Sequence, residues 1–119
     1  MNKRRVGESK EKEAAAYLQA QGMQILEYNF RSRRGEIDLI GKQDEYLVFV
    51  EVKFRQSKAK GSPLEAVDLR KQRQICKVAD FYRLMHGIGE FAPIRYDVVG
   101  IEGDKITWIP NAFQHIYGR

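Results

Sequence analysis

The chain has 119 residues, of which 43% are hydrophobic and 31% charged, and its formal net charge is +5. This length suits one compact domain over residues 1–119, and the excess of basic residues weakly favours a polyanionic partner. The single cysteine, Cys76, excludes an intrachain disulfide, and no Cys/His cluster is present that would hold zinc. No apolar run approaches the length of a membrane-spanning helix or follows the basic start as a secretion signal would. We therefore expect a cytoplasmic protein without membrane contact.

Helical spacing marks the first element. Residues 1–8 are expected to form a mobile basic lead, followed by a helix from Ser9, a favourable capping residue, to Gln21. Glu13 lies at the edge of the apolar stripe that this helix places on the core. Two interpretations of Glu13 stay open: a solvated helix carboxylate, or an acid that reaches the end of the neighbouring sheet.

Three strands are predicted next, because β-branched and aromatic residues are frequent in segments 23–30, 36–40 and 46–55. A short polar loop joins the second and third strands, which makes them antiparallel neighbours. The connection between the first and second strands is a polar turn that carries Arg31, Arg33 and Arg34. These side chains are either solvated or contact phosphate groups, for which the guanidinium fork is well shaped.

The second half of the chain begins with a basic loop that contains Lys58 and Lys60. A serine cap at Ser62, followed by proline and then by glutamate three residues after the cap, predicts the start of a helix. This helix is expected to continue to His86, with a break near Asp68.

Two further strands, 94–101 and 106–109, are predicted to form a second hairpin, and Pro110 is predicted to begin a tail. The predicted order of elements is therefore α-β-β-β-α-β-β. This order predicts an α/β fold with a central mixed five-stranded sheet flanked by helices.

Charged residues stand at the end of the most apolar strand. The run Tyr46–Val50 leads directly into Glu51 and Lys53, although burying an unpaired charge costs several kcal/mol. Side chains alternate along a strand, so Glu51 and Lys53 share one face, as do Glu36 and Asp38 on the preceding strand. Asp38 and Glu51 meet on one side of the sheet only if opposed residues have numbers with an odd sum, such as 89 or 87.

A divalent metal site would explain these charges. Magnesium prefers oxygen ligands and keeps several waters, so two or three carboxylates suffice to bind it. We expect Mg²⁺ or Mn²⁺ to be bound by Asp38 and Glu51, with the carbonyl of Val52 and the Glu13 carboxylate as further ligands. Lys53 would orient the attacking water or neutralise charge that builds on the phosphate. The alternative is a structural cluster, in which Lys53 pairs with a neighbouring glutamate and Asp38 caps a turn.

The motifs Gly35-Glu36-Ile37-Asp38 and Phe49-Val50-Glu51-Val52-Lys53 also carry a resemblance. An acid on a first helix, then Asp, then Glu-x-Lys resembles the PD-(D/E)xK nuclease superfamily, which includes restriction endonucleases and archaeal Holliday junction resolvases. More closely, the chain resembles the small bacterial YraN-like family. Further matching stretches are Gly7-Glu8, Glu13-Ala14-Ala15, Asn29-Phe30-Arg31 and Arg95-Tyr96-Asp97-Val98. The resemblance implies a restriction-endonuclease-like fold, with catalytic positions at Asp38, Glu51 and Lys53 and the helix acid at Glu13.

Two features depart from the superfamily pattern. First, Ile37-Asp38 replaces the proline-aspartate pair. Second, the Gln-xxx-Tyr motif of RecB-type nucleases is missing. At the spacing of that motif, Gln72 is followed by Cys76 and Gln74 by Val78, and neither is a tyrosine. The second departure favours the resolvase-like branch, in which Lys71 would be a phosphate contact.

The leading hypothesis is a magnesium-dependent DNA endonuclease that hydrolyses phosphodiester bonds with metal-activated water, with branched DNA as a candidate substrate. The alternatives are a non-catalytic nucleic-acid-binding module and an interaction protein, both with the same fold. RNA stays an alternative to DNA, and a single domain of this size would cut both strands of a junction only as a homodimer. The residues expected to contact nucleic acid are Arg31, Arg33, Arg34, Arg55, Lys58, Lys60 and Lys71.

Overall fold

A computed structural model describes residues 3–55 and 61–118. The elements follow the predicted order: α1 (Lys3–Ala20), β1 (Gln24–Ser32), β2 (Gly35–Gln43), β3 (Tyr46–Arg55), a 3-10 turn (Pro63–Ala66), α2 (Leu69–Met85), β4 (Ile94–Glu102) and β5 (Lys105–Phe113). Within these described ranges, no helix is long and apolar enough to cross a membrane.

The five strands form one open sheet in the order β1-β2-β3-β4-β5. All neighbours are antiparallel except β3 and β4, which run parallel and are joined through the 3-10 turn and α2. A parallel pair requires a crossover connection of this kind, because a tight turn reverses the chain. The predicted mixed five-stranded sheet flanked by helices is confirmed.

Each helix covers one face of the sheet. The cluster beneath α2 contains the aromatic side chains of Phe49, Tyr82 and Tyr96. The cluster beneath α1 contains Leu18 and Val50 together with neighbouring aliphatic side chains. Burial of each large apolar side chain stabilises the fold by about 1.5–3 kcal/mol. Because Phe49 and Val50 are adjacent on β3, they point to opposite faces of the sheet, and Glu51 follows Phe49 onto the α2 side.

The register between β2 and β3 fulfils the condition for a shared site. Leu39 pairs with Val50, Ile40 with Phe49, and the ladder continues to the hairpin turn. These partners have numbers that sum to 89, which is one of the two expected registers. The ladder ends at Leu39 and Val50, so the next positions along the two strands are Asp38 and Glu51.

The first helix begins earlier than expected. It starts at Lys3 rather than at the predicted Ser9 cap, and residues 3–8, which were expected to form a mobile lead, are helical. No proline interrupts this segment, so the backbone can continue its hydrogen-bonding pattern through it. The predicted break before α2 is confirmed: Asp68 caps this helix by accepting a 2.9 Å hydrogen bond from the N–H of Lys71.

The predicted tail from Pro110 is wrong, because β5 continues to Phe113. β5 lies at the edge of the sheet, where a proline without an N–H is tolerated. The next residue, Asn111, adopts a left-handed φ of 51° and donates its N–H to the buried carboxylate of Asp97 over 2.9 Å. Asp97 also accepts hydrogen bonds from Arg95 and from the Trp108 indole. The hydrogen bonds to the buried Asp97 carboxylate hold the end of β5 in place, and no local sequence pattern predicts these bonds.

Candidate functional site

The Asp38 side chain lies where β2 departs from regular pairing. Its Oδ2 accepts a 2.8 Å hydrogen bond from the backbone N–H of Val52. The facing residue on β1, Asn29, has a left-handed φ of 53°, a conformation that asparagine tolerates. Ile37 and Leu39 consequently pack into the clusters on opposite faces of the sheet, although regular alternation would place them on one face. This local irregularity lets the Asp38 carboxylate turn towards β3.

Glu51 is buried, with 6% of its surface exposed, and two lysines approach it. Its Oε2 lies 3.4 Å from Nζ of Lys53, two residues along β3, and 3.7 Å from Nζ of Lys71 on α2. A buried carboxylate without such partners would be strongly destabilising. The structure therefore brings together Asp38, Glu51, Lys53 and Lys71 from three elements.

The two carboxyl groups are held in protonation states unlike those of exposed acids. Burial raises the pKa of Asp38 to about 7, and the neighbouring Glu11 carboxylate adds to the rise, whereas the hydrogen bond from Val52 opposes it. Burial also raises the pKa of Glu51 to about 7; the Asp38 charge adds to this rise, and Lys71 and Lys53 oppose it. Two neighbouring acids with raised pKa values indicate a site that would gain from a bound cation.

The helix acid at this site is Glu11, and the assignment to Glu13 is corrected. The Glu13 carboxylate forms a 2.9 Å ion pair with Lys10, and 42% of its side chain is exposed. Glu11 instead interacts with the Asp38 carboxyl and with the Asn29 side chain. Helical geometry explains the difference, because Glu11 precedes the buried Ala14, Ala15 and Leu18 by three, four and seven residues and shares their face.

Glu11 is itself in an unusual environment. Burial raises the pKa of its carboxyl group, and its hydrogen bond with Asn29 opposes the rise. Its Oε1 is buried and has no hydrogen-bond partner among the described residues. Glu11 also lines a cleft of about 340 Å³ with Glu8, Lys12, Tyr28 and Asn29. An acceptor left without a partner in this way leaves room for a donor, a water or a cation.

The oxygen donors at this site suit a hard cation. Asp38 and Glu51 offer two carboxylates, and magnesium is often held by one or two carboxylates together with waters and substrate oxygens. No group of three or more His, Cys, Asp or Glu side chains arranged to hold a metal occurs in residues 3–55 and 61–118. Asp38 and Glu51 would therefore hold such an ion with other oxygens, among which the Val52 carbonyl was predicted.

Of the residues predicted to contact phosphate, some have partners within the fold and others are exposed. Arg31 forms a 3.2 Å ion pair with Glu36, and Arg55 donates to the carbonyls of Gly61 and Ser62, so both guanidinium groups already have partners. Arg33 and Arg34 are exposed in the β1–β2 turn. Lys71 contacts Glu51, as described above. Lys58 and Lys60 lie outside the described residues.

Sequence reasoning missed the basic residues that lie beside Arg34. The Gln74 side chain donates a 2.8 Å hydrogen bond to the Arg34 carbonyl, which joins α2 to the β1–β2 turn. Around this bond lies a cleft of about 300 Å³ that is also lined by Arg70, Arg73 and Lys77. The recurrence of cations at helical spacing on α2 is the signal that would have identified them.

Comparisons with known proteins agree on one family. The model of the uncharacterised protein family UPF0102 matches residues 10–101, a span that includes Glu11, Asp38, Glu51 and Lys71. The chain belongs to UPF0102. A UPF0102 protein of Lachnoclostridium phytofermentans is 49% identical over 113 residues, covering 95% of this chain and 96% of the relative. A UPF0102 protein of Colwellia psychrerythraea is 43% identical over 112 residues, covering 90% of this chain and 87% of the relative. This confirms the predicted relationship to the YraN-like bacterial proteins.

Proposed function

We propose that this UPF0102 protein is a Mg²⁺- or Mn²⁺-dependent endonuclease that hydrolyses DNA phosphodiester bonds on a restriction-endonuclease-like fold. The observation that carries the proposal is the hydrogen bond from the Val52 N–H to Asp38. It fixes the Asp38 carboxylate against the segment that bears Glu51 and Lys53. Two acids largely withdrawn from water, with a lysine beside them at the end of an apolar sheet, have little structural advantage and suit phosphodiester chemistry.

The chain's own residues divide the work between them. Asp38 and Glu51 would hold the divalent ion, which polarises a phosphate oxygen and lowers the pKa of a bound water when it is present. The Val52 N–H keeps the Asp38 carboxylate in one orientation, so that little rearrangement is needed at the moment of reaction. Glu11, from the opposite side of the sheet, would accept a hydrogen bond from a water held beside Asp38.

Lys53 supplies positive charge where negative charge develops. Its Nζ lies 3.4 Å from Glu51, within reach of a water or a phosphate oxygen that approaches the same carboxylate. A compact ammonium group on a flexible stem can move from Glu51 to that oxygen as the charges rearrange. Lys71, 3.7 Å from Glu51, would stay paired with this carboxylate or contact the adjacent phosphate.

A cleavage assay tests the proposal. Purified protein with Mg²⁺ or Mn²⁺ is incubated with single-stranded, duplex, flap and four-way-junction DNA, with and without EDTA. Asp38→Asn and Glu51→Gln should each lose cleavage, whereas Glu45→Gln, an exposed acid in the β2–β3 turn, should cut like the native chain. Cleavage that survives both Asp38→Asn and EDTA would not come from this site and would overturn the proposal.

One observation favours a second candidate, a non-catalytic nucleic-acid-binding module with this fold. Lys53 and Lys71 already compensate the Glu51 charge in the structure, as they would in a purely structural cluster. In that case the chain would bind DNA in a salt-sensitive manner without cutting it, and Asp38→Asn would leave this binding unchanged. The absence of both binding and cutting would point instead to an interaction protein.

A further inference from the structure

The exposed face of α2 carries a continuous series of clefts. The first cleft, of about 340 Å³, is lined by Asp68, Arg70, Lys71 and Gln74. The second shares Arg70 and Gln74 with it and continues to Arg34, Arg73 and Lys77. The third cleft, of about 470 Å³, shares Arg34 and Lys77 with the second and extends to Arg33 and Phe81. Because neighbouring clefts share residues, they form one surface, the α2 strip, that leads from Lys71, beside Glu51, to Phe81.

Four of the cations on this surface, unlike Lys71, lack opposite partners. Within residues 3–55 and 61–118, no carboxylate forms an ion pair with Arg34, Arg70, Arg73 or Lys77. The two acids beside them are engaged elsewhere. Asp68 accepts the Lys71 N–H as the α2 cap, and Asp80 lies 3.2 Å from His115 and 3.7 Å from Arg83. A strip of cations without internal partners attracts a linear polyanion.

An aromatic ring stands at the far end of the strip. Phe81 exposes 41% of its surface, and its ring packs on one side near Phe30, with centroids 6.2 Å apart. An apolar ring that packs beside another ring and is still exposed over much of its surface is suited to stacking against a nucleobase. Arg33 and Lys77 line the same cleft and could hold the flanking phosphates.

We propose that the α2 strip binds a single DNA strand, with its cations on successive phosphates and Phe81 stacked on an unpaired base. This binding role rests on the proposed function for the choice of DNA, but it requires no cleavage. Lys71 and Phe81 are ten residues apart on a helix that rises 1.5 Å per residue, which is about 15 Å. A stacked strand advances about 3.4 Å per nucleotide, so the strip spans about four nucleotides. The substrate is thus a DNA with an unpaired strand beside the site of cutting.

Binding measurements in EDTA test the strip separately from the chemistry. Fluorescence anisotropy is recorded with a labelled single-stranded oligonucleotide and with the corresponding duplex, over a range of salt concentrations. Arg73→Gln and Lys77→Gln each remove one cation from the strip. The matched control is Lys42→Gln, an exposed lysine of β2 outside the three clefts. Phe81→Leu is paired with Phe91→Leu, because Phe91 is 93% exposed and lies beyond α2.

The strip variants should weaken single-strand binding several-fold and reduce the slope of log affinity against log salt by about 0.7 each, with no change for Lys42→Gln. Phe81→Leu should weaken single-strand binding about fivefold or more while duplex binding stays the same. Equal affinities for the strip variants and their controls would overturn the proposal. It would also be overturned if Phe81→Leu weakened duplex binding as much as single-strand binding. Tighter binding of RNA of the same sequence would overturn the choice of DNA.

The outcomes separate the two proposals. Strip-dependent binding without any metal-dependent cutting would reject the endonuclease and leave the strip intact. Cutting that depends on Asp38, together with strip variants that bind and cut like the native chain, would reject the strip and leave the endonuclease intact.

Discussion

The carboxylate of Asp38 and the backbone N–H of Val52 are joined by a 2.8 Å hydrogen bond across the gap where β2 and β3 separate. A side chain here replaces a carbonyl as the acceptor for a strand N–H. The bond connects the orientation of Asp38 to the main chain between Glu51 and Lys53. Changes at Asp38 should therefore affect both the chemistry of the site and the stability of the sheet.

We expect Asp38→Ala to be less stable than Asp38→Asn. The asparagine carbonyl can still accept the Val52 N–H, whereas alanine leaves this half-buried donor without its partner, at a cost of about 1–3 kcal/mol. Urea denaturation of the two variants measures the difference in their free energies of unfolding. Equal stabilities would mean that water or another acceptor replaces Asp38 at no cost.

We expect Glu11→Gln to reduce DNA cleavage and Glu13→Gln to leave it unchanged. Glu11 interacts with Asp38, whereas Glu13 pairs with Lys10 on the solvent side of α1. A loss of about tenfold or more is typical for residues that orient the ligands of a metal. The two variants are compared by their initial cleavage rates over a range of Mg²⁺ concentrations. If Glu13→Gln is the damaging variant, the assignment made from the structure is wrong.

We expect the metal-free protein to lose stability as the pH rises from about 4 to about 7. The folded pKa values of Asp38 and Glu51 are raised to about 7, so in this window the folded state keeps protons that the unfolded state releases. Each unit by which a folded pKa exceeds the unfolded pKa lowers the free energy of unfolding by at most about 1.4 kcal/mol, so the loss across this window should be large enough to measure. Chemical denaturation at a series of pH values, in EDTA, measures this dependence.

The variant that carries both Asp38→Asn and Glu51→Gln is the control for that experiment, since neither amide titrates. Its stability relative to the native chain should improve steadily between pH 4 and pH 7. Burial lowers the pKa of His115, which gives both proteins the same opposing slope at low pH, and the difference between them removes it. Parallel curves would show that the two acids ionise as freely in the folded state as in the unfolded state.

We expect Gly100→Ala to destabilise the chain by about 1–3 kcal/mol, the usual range for overpacking. A Cβ at position 100 would overlap the side chain of Pro63, whose ring cannot rotate away. Gly89→Ala is the matched control, because nothing lies within 4 Å of its new Cβ. Thermal unfolding of both variants measures the effect. An unchanged midpoint for Gly100→Ala would mean that the 3-10 turn shifts freely.

The meeting of Asp38 and Glu51 could be predicted because it depends on local rules. Alternation along a strand and an odd-sum register determine which side chains share a face, and both are visible in the sequence. The helix acid was assigned to Glu13 by resemblance to a motif, although helical periodicity relative to Leu18 favours Glu11. Helical periodicity therefore predicts better than the motif which acid of α1 faces the sheet.

Other features depend on contacts between distant segments, which the sequence does not reveal. β5 continues through Pro110 because Asn111 donates to Asp97 on β4, and no local pattern predicts that bond. Arg31 and Arg55 were predicted to contact phosphate. In the structure, Arg31 forms an ion pair with Glu36, and Arg55 donates a hydrogen bond to the Ser62 carbonyl. The α2 strip depends on the Gln74 contact with Arg34, which joins residues forty positions apart in the chain.

Asp38 and the charged groups around it come from four separate elements: Asp38 from β2, Glu11 from α1, Glu51 from β3 and Lys71 from α2. Such a site has high contact order, since its members meet only after both helices have docked on opposite faces of the completed sheet. A partly folded chain would present these charges scattered and hydrated. Under the proposed function, cleavage would therefore appear only with the last stage of folding, and a newly made chain would stay inactive until its fold was complete.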